Sequence, residues 1–375
     1  MSKAADKWVF FSALPPFRGG ISKFSAHTLR ALSKSKKVKS FTFRKQYPNF
    51  LFPGTSQFEQ NATDETFERI VSTFNPFSYL GSAWRLRKEK PTVFITSYWM
   101  TFMAPMMAFW TLILPRHTKK VAIIHNLIPH EKRFFDTAFN KIFLRSYDAF
   151  VVLSEAVRKD VLQLKPDAKV ALLGHPPYEG EAGSVSTEEA RGALGLDPQK
   201  KTILFFGLIR PYKGLSELIA AFSLLDDNYQ LLIAGEVYGT AEFYIEALNA
   251  LPNQNWKFVN RYLADAEVAT YFAAADIVVL PYLSATQSGI RAMALSQKRA
   301  VLCTNVGGLA EGLEQEGHGF ELDNTAPEYF AERMQSLFNQ GDISKCNAHL
   351  AAQNLDLDEA WLSFAKGLIH LVEEA

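Results

Sequence analysis

FFGLIRPYKGLSELIAAFSLL, residues 205–225, is the stretch from which the rest of the chain can be read. An apolar run ends at Gly207, a short turn carries Arg210 and Lys213, Gly214 follows, and an amphipathic helix begins near Ser216. A buried strand running into a helix in this way sets the free N–H groups and partial positive charge of the helix start beside two cations. That combination suits a phosphate group. Taken alone, two ordinary surface charges in a turn would read identically.

Outward from it, apolar runs recur at the spacing of strands alternating with helices: TILFFG at 202–207, then YQLLIAG at 229–235, WKFV at 256–259, DIVVL at 276–280 and AVLCT at 300–304. An earlier series holds WVFFSAL at 8–14, VKSFTF at 38–43, TVFITS at 92–97, KVAIIH at 120–125, DAFVVL at 148–153 and KVALL at 169–173. A looser stretch, 176–200, separates the two series. Near-continuous apolar strands predict parallel sheets covered on both faces, with ligands beyond the carboxyl ends of the strands. A chain of 375 residues exceeds what one core usually covers. The expectation is an α/β protein of two Rossmann-like, doubly wound domains facing each other across a cleft, 1–177 and 178–357. Residues 358–375, with Trp361, Phe364, Leu368 and Leu371 at helical spacing, are expected as a helix packing back toward the first domain.

With 48% apolar and 21% charged residues the chain reads as folded rather than disordered. Residues 1–150 carry 23 Lys and Arg against 9 Asp and Glu, whereas 151–375 carry 17 against 30. A basic half suits an anionic neighbour such as a membrane surface or a phosphate-bearing acceptor; two oppositely biased halves attracting one another is the other reading. No RNA- or DNA-binding motif accompanies the bias, so nucleic acid is not expected as a partner. Only Cys303 and Cys346 occur and no secretory signal is visible, which points to a cytoplasmic protein. YWMTFMAPMMAFWTLILP, residues 98–115, is uncharged and is followed by Arg116, His117, Lys119 and Lys120. Its length permits a membrane span, and its Met and aromatic content suits an interfacial helix or a core helix as well.

Further along lie LPPFRGGISKF at 14–24, GEVYG at 235–239, VNRYLADAEVATYFAAADIVVLPY at 259–282, SATQSG at 284–289 and NVGGLAE at 305–311. With Gly207, Lys213 and Gly214, these motifs resemble in order and spacing the retaining GT-B glycosyltransferases of family-4 type, also called glycosyl transferases group 1. The resemblance covers most of the chain. It implies that a nucleotide-sugar donor, UDP- or GDP-linked, binds mainly to the second domain and a glycan or lipid-linked acceptor mainly to the first. Arg210 and Lys213 would then neutralise the leaving diphosphate, so no metal and no further cofactor is required. Gly19 and Gly20 would let backbone approach the donor or acceptor, and Gly207 would end the strand beneath the phosphates. Arg261 and Tyr262 stand where the family contacts the nucleobase, although an exposed Arg-Tyr pair in a loop would look the same. His125 stands where the family hydrogen-bonds the transferred sugar, with His130 and Glu131 as a weaker pair; a core histidine is the plain alternative. His175 reads as structural.

One departure matters. Members of that family carry two glutamates, separated by seven residues, after the DIVVLPY-like strand, but this chain has no Asp or Glu between Asp276 and Glu311. Thr286, Gln287, Ser288 and Gly289 would offer hydroxyl, amide and backbone groups to the donor instead, and Glu311 would be the remaining carboxylate near it. Three functions stay open: a hexosyltransferase at the inner membrane face with altered donor contacts, a GT-B enzyme of another reaction type such as a sugar-nucleotide epimerase or a phosphorylase, or a catalytically silent GT-B protein acting as a membrane-associated binding or scaffold subunit. Under the first, transfer would proceed by front-face attack with retention, the leaving phosphate taking the acceptor's proton.

Overall fold

Strands that are apolar at every position cannot leave a face to water, so each sheet here must be covered on both sides. The computed structural model describes residues 6–47, 56–58, 67–129, 133–178, 185–354 and 356–375. The chain folds as two compact units, one running to Pro176 and taking in Leu357–Ala375, the other Pro177–Asp356.

The first unit holds β1 (Trp8–Phe11), α1 (Gly20–Ser33), β2 (Val38–Lys45), β3 (Glu68–Ser72), α2 (Pro76–Lys88), β4 (Val93–Tyr98), α3 (Ala104–Ile113), β5 (Lys119–Ile124), α4 (Asp136–Ser146), β6 (Ala149–Val152), α5 (Glu155–Leu164) and β7 (Lys169–Leu172). Its sheet runs in the order β3-β2-β1-β4-β5-β6-β7, and every pairing is parallel. Trp110 of α3 meets Phe11 edge-on at 4.6 Å, Phe11 meets Phe43 likewise at 4.6 Å, and the Trp110 indole N–H donates to Ser82 Oγ at 2.9 Å. The uncharged stretch 98–115 is therefore mostly core: Tyr98, Met103, Ala104, Met106, Met107, Trp110 and Leu114 are all buried. Among the described residues no helix is long and apolar enough to cross a membrane.

The second unit holds α6 (Thr187–Leu194), β8 (Lys201–Phe206), α7 (Leu215–Phe222), β9 (Tyr229–Ala234), α8 (Glu242–Asn249), β10 (Trp256–Val259), α9 (Asp265–Ala274), β11 (Ile277–Leu280), α10 (Gly289–Ser296), β12 (Ala300–Thr304), β13 (Gly319–Leu322), α11 (Pro327–Asn339) and α12 (Asp342–Ala352). The sheet order is β10-β9-β8-β11-β12-β13, again all parallel. One apolar cluster centres on Ile203, Leu231 and Phe330, another on Leu204, Phe272 and Leu280, so consecutive residues of β8 feed opposite faces. The last helix, α13 (Leu357–Glu374), belongs to the first unit. There Trp361 and Phe364 pack on Phe24 of α1 at 5.2 and 5.4 Å, and Lys119 Nζ donates to the Val372 carbonyl at 2.8 Å.

Candidate active site

In each doubly wound sheet the chain winds one way and then the other, and a crevice opens where the strand order reverses. In the second unit that point lies between β8 and β11. The loops leaving the carboxyl ends of these two strands carry Gly207–Gly214 and Pro281–Ser288, and they touch: the Leu283 N–H donates to the Tyr212 carbonyl at 2.8 Å. Beside them, Ile209 and Val237 form a parallel bridge, with the Ile209 N–H donating to the Glu236 carbonyl and the Tyr238 N–H to the Ile209 carbonyl, both at 2.9 Å. A loop tied on two sides is a rigid mount for Arg210 and Lys213.

The two cations sit differently. Arg210 is exposed, its guanidinium 4.9 Å from the Tyr238 ring; Lys213 is half-buried, its ammonium 5.0 Å from the Tyr282 ring. Loss of water holds the Lys213 ammonium below its ordinary pKa, Tyr212 opposing the shift and the charge of Arg210 adding to it. An anion brought to this place would relieve both influences.

The start of α10 joins the same group. A β-carbon added to Gly207 would lie 2.9 Å from Ile290 Cδ1 and 3.9 Å from Lys213 Nζ, so strand end, lysine and the first turn of α10 converge on one spot. Ser288 caps that helix, its Oγ accepting from the Ile290 N–H at 3.2 Å and lying 3.4 Å from the Tyr282 hydroxyl, while Gly289 packs on Tyr178. Gly307, at φ 56°, lies so close to Ala285 that a β-carbon would stand 1.7 Å from the Ala285 carbonyl oxygen and 3.5 Å from Thr286 Cα. The glycine turn after β12 therefore rests directly on the Thr286-Gln287 loop. Gln287 Oε1 is buried there with no hydrogen-bond partner among the described residues.

Gly207, Arg210, Lys213, Thr286, Gln287, Ser288 and Gly289 thus belong to two touching loops and the helix starts that follow them. Arg261 and Tyr262 lie apart from that contact, after β10, where the Arg261 guanidinium is paired with Glu267 in the first turn of α9. In that region Asn260 is tied inward, its Oδ1 accepting from the Val237 N–H at 2.9 Å. Glu311 is exposed in the turns after β12. Sequence alone does not mark Tyr238 and Tyr282, whose rings flank the cations, although both stand inside the motifs GEVYG and DIVVLPY. His130 and Glu131 lie outside the described residues.

In the first unit the reversal falls between β1 and β4. Gly19 caps α1 and Gly20 opens it; nothing lies within 4 Å of where a β-carbon of Gly19 would be, which leaves the helix start approachable. His125 follows β5, its N–H donating to the Tyr98 carbonyl at 2.8 Å, and its ring is buried edge-on against Phe24 at 4.8 Å. His175 meets the same Phe24 at 5.0 Å, and His27 stacks on Trp361 at 4.9 Å. Burial first, and then neighbouring histidine charge, pushes His125 down to about 3; burial, partly opposed by its bond to the Pro176 carbonyl, pushes His175 down to about 4.

Both histidines stay neutral in the folded unit while the unfolded chain takes up protons near pH 6.5. Stability is accordingly full above that value and falls on acidification toward pH 4. For His125 the slope is at most about 1.4 kcal/mol per pH unit. Urea unfolding of this unit followed from pH 7 to pH 4 should show that decline, and His175→Phe should flatten it. An unchanged slope in the variant would remove His175 from the account.

Among the described residues no group of three or more His, Cys, Asp or Glu is placed to hold a metal ion. Two family models match the chain: Glycosyltransferase Family 4 over residues 19–175 and Glycosyl transferases group 1 over residues 186–352. D-inositol 3-phosphate glycosyltransferase of Pseudarthrobacter chlorophenolicus is 30% identical over 157 residues, 40% of this chain; the match spans only 37% of that protein's own length. Sucrose-phosphate synthase from Thermosynechococcus elongatus shares the fold with a TM-score of 0.75 at 16% identity, covering 98% of each chain. Anabaena Alr3699/HepE, solved in complex with UDP, does so with a TM-score of 0.72 at 15% identity, covering 97% of this chain and all of that one.

Proposed function

We propose that this chain, which belongs to the GT-B glycosyltransferases of family-4 type, moves a hexosyl group from a UDP- or GDP-linked donor to a glycan or lipid-linked glycan acceptor. The observation that carries the reading is the convergence of Lys213, Gly207 and the first turn of α10 at the reversal point of the second sheet. There a desolvated lysine and two helix starts offer a diphosphate what it needs. A neighbour of the same fold that binds UDP supports a uridine nucleotide. The relative named for D-inositol 3-phosphate, together with the basic first half, supports an acceptor that bears phosphate.

In the proposed reaction the acceptor hydroxyl attacks the anomeric carbon while the bond from that carbon to the diphosphate oxygen breaks. The acceptor's proton passes to the departing phosphate on the same face, giving retention. Arg210 and Lys213 stabilise the charge that develops on the diphosphate, which removes the need for a metal. Gln287 supplies a buried amide oxygen to a donor hydroxyl where relatives use a carboxylate, with Thr286, Ser288 and Gly289 at the adjoining helix start and Glu311 beyond. His125 hydrogen-bonds the transferred sugar, Gly19 and Gly20 admit the acceptor or donor backbone-close, and Arg261 and Tyr262 meet the nucleobase once Glu267 is displaced. The setting is the cytoplasm, at the inner membrane face.

Calorimetric titration with UDP and with GDP, in the presence of a chelator, tests the donor assignment. Micromolar binding of one nucleotide, followed by transfer from its glucose conjugate to a phosphate-bearing acceptor, is expected. Binding of neither nucleotide, or binding only when a divalent cation is restored, would sink the metal-free diphosphate site.

A further inference from the structure

We propose that helix α2 is a membrane-docking element that lays its exposed face on an anionic lipid surface; this deepens the reading of a lipid-linked acceptor but is carried by the helix alone. Two stripes run along α2. Ser82, Ala83 and Leu86 face the core, held by the bond from Trp110. On the other side, at steps of three and four, stand Phe77, Leu80, Gly81, Trp84, Arg87 and Lys88, all exposed. Phe77 is 91% exposed, Trp84 58% and Leu80 55%. Three large apolar side chains in line on one helix, each more than half exposed, are not the scattered apolar residues of an ordinary surface.

The order along the stripe says what covers it. The apolar residues occupy the first three turns and give way to Arg87 and Lys88 in the last, and α2 contains no Asp or Glu. Arg85, on the flank, is neutralised by Glu68 and Glu89 and takes no part. The Arg87 guanidinium donates to the Ile113 carbonyl at the end of α3, next to Leu112, which is itself 79% exposed. Favourable interaction with the helix dipole accounts for basic residues at this end, but not for Phe77, Leu80 and Trp84 held in water. Aromatic and aliphatic residues beside lysine and arginine on one face of a helix about 20 Å long fit the boundary between headgroups and acyl chains. The excess of 23 basic over 9 acidic residues in the first 150 adds the long-range attraction such a surface exerts.

The test is co-sedimentation of the full chain with phosphatidylcholine vesicles, with and without one third phosphatidylglycerol, for the parent protein, Phe77→Ser/Trp84→Ser and Arg87→Gln/Lys88→Gln. The parent should partition onto the anionic vesicles and be released by high salt. The apolar pair should bind at least about tenfold more weakly, and the charge pair should show a weaker preference for anionic over neutral lipid. Urea unfolding of the first unit reports that each variant is folded there, and UDP and GDP titration, at a site in the other unit, keeps a failure here distinct from a failure of the donor assignment. Equal vesicle binding by parent and apolar pair would overturn the proposal. So would a parent that ignores both vesicles but forms dimers that the apolar pair abolishes, since α2 would then meet a second copy of this chain.

Discussion

Replacing Arg210 and Lys213 together by alanine is expected to weaken diphosphate binding by about a hundredfold or more, because each cation contributes a charge-assisted hydrogen bond of roughly 1.5 to 3 kcal/mol. Turnover, where it can be measured, should fall further. The diphosphate gains charge as the sugar departs, and groups aimed at that charge act most strongly in the transition state. The same variant should unfold no more easily than the parent. Lys213 is held below its ordinary pKa by loss of water, so its charged form is disfavoured in the folded state and costs stability at neutral pH. Arg210 is exposed, and its contact with the Tyr238 ring is worth little there. Lost binding with unchanged or raised stability is the signature of residues kept for a ligand. Nucleotide affinity preserved within about threefold would place the phosphates elsewhere.

Much of this site lies open in the sequence and some of it does not, for identifiable reasons. TILFFG, YQLLIAG, DIVVL and AVLCT appear as β8, β9, β11 and β12 because central strands of a parallel sheet are apolar at every position. β3, whose sequence is ERIVS, and β13, GFEL, escape notice because these edge strands carry charge that interrupts the apolar run. The phosphate turn is legible since its chemistry is local: strand end, two cations, glycine, helix. Its partner loop is legible only as a motif, because the contact between Tyr212 and Leu283 depends on a strand order that places β11 beside β8 across 70-odd residues of intervening chain.

Periodicity fails in a different way at the two apolar stretches of the first unit. Residues 98–115 look like the membrane element and are mostly core. The helix that presents an uncovered face is α2, where Tyr79, Ala83 and Leu86 on one side and Phe77, Leu80 and Trp84 on the other give apolar content all round. Hydrophobic spacing identifies a helix, but it cannot say which of two apolar faces the rest of the fold covers. That depends on where Trp110 and the sheet lie.

Gly214→Ala should be the most damaging single substitution in the phosphate turn, although alanine adds one carbon and no charge. Gly214 sits at φ 70°, in the left-handed region, and ends the turn that carries Lys213. A β-carbon there would stand 1.9 Å from the Pro281 carbonyl oxygen and 2.9 Å from its carbon. Both obstacles are backbone, so no rotamer change relieves them, and the loops after β8 and β11 must move apart. Moving them breaks the bond from Leu283 to Tyr212 and shifts the wall behind the Lys213 ammonium. Left-handed strain, overpacking and one lost hydrogen bond together amount to roughly 3 to 5 kcal/mol. That is a large part of what holds a domain folded. Gly341→Ala makes the control, because it carries similar strain at φ 70° but meets nothing within 4 Å; it should cost about 1 kcal/mol. Denaturant unfolding and nucleotide titration of both variants separate the cases. Gly214→Ala should lose stability in the second unit and nucleotide binding together, Gly341→Ala neither to that extent. A Gly214→Ala protein that unfolds and binds like the parent would mean that contact with Pro281 is not what positions Lys213.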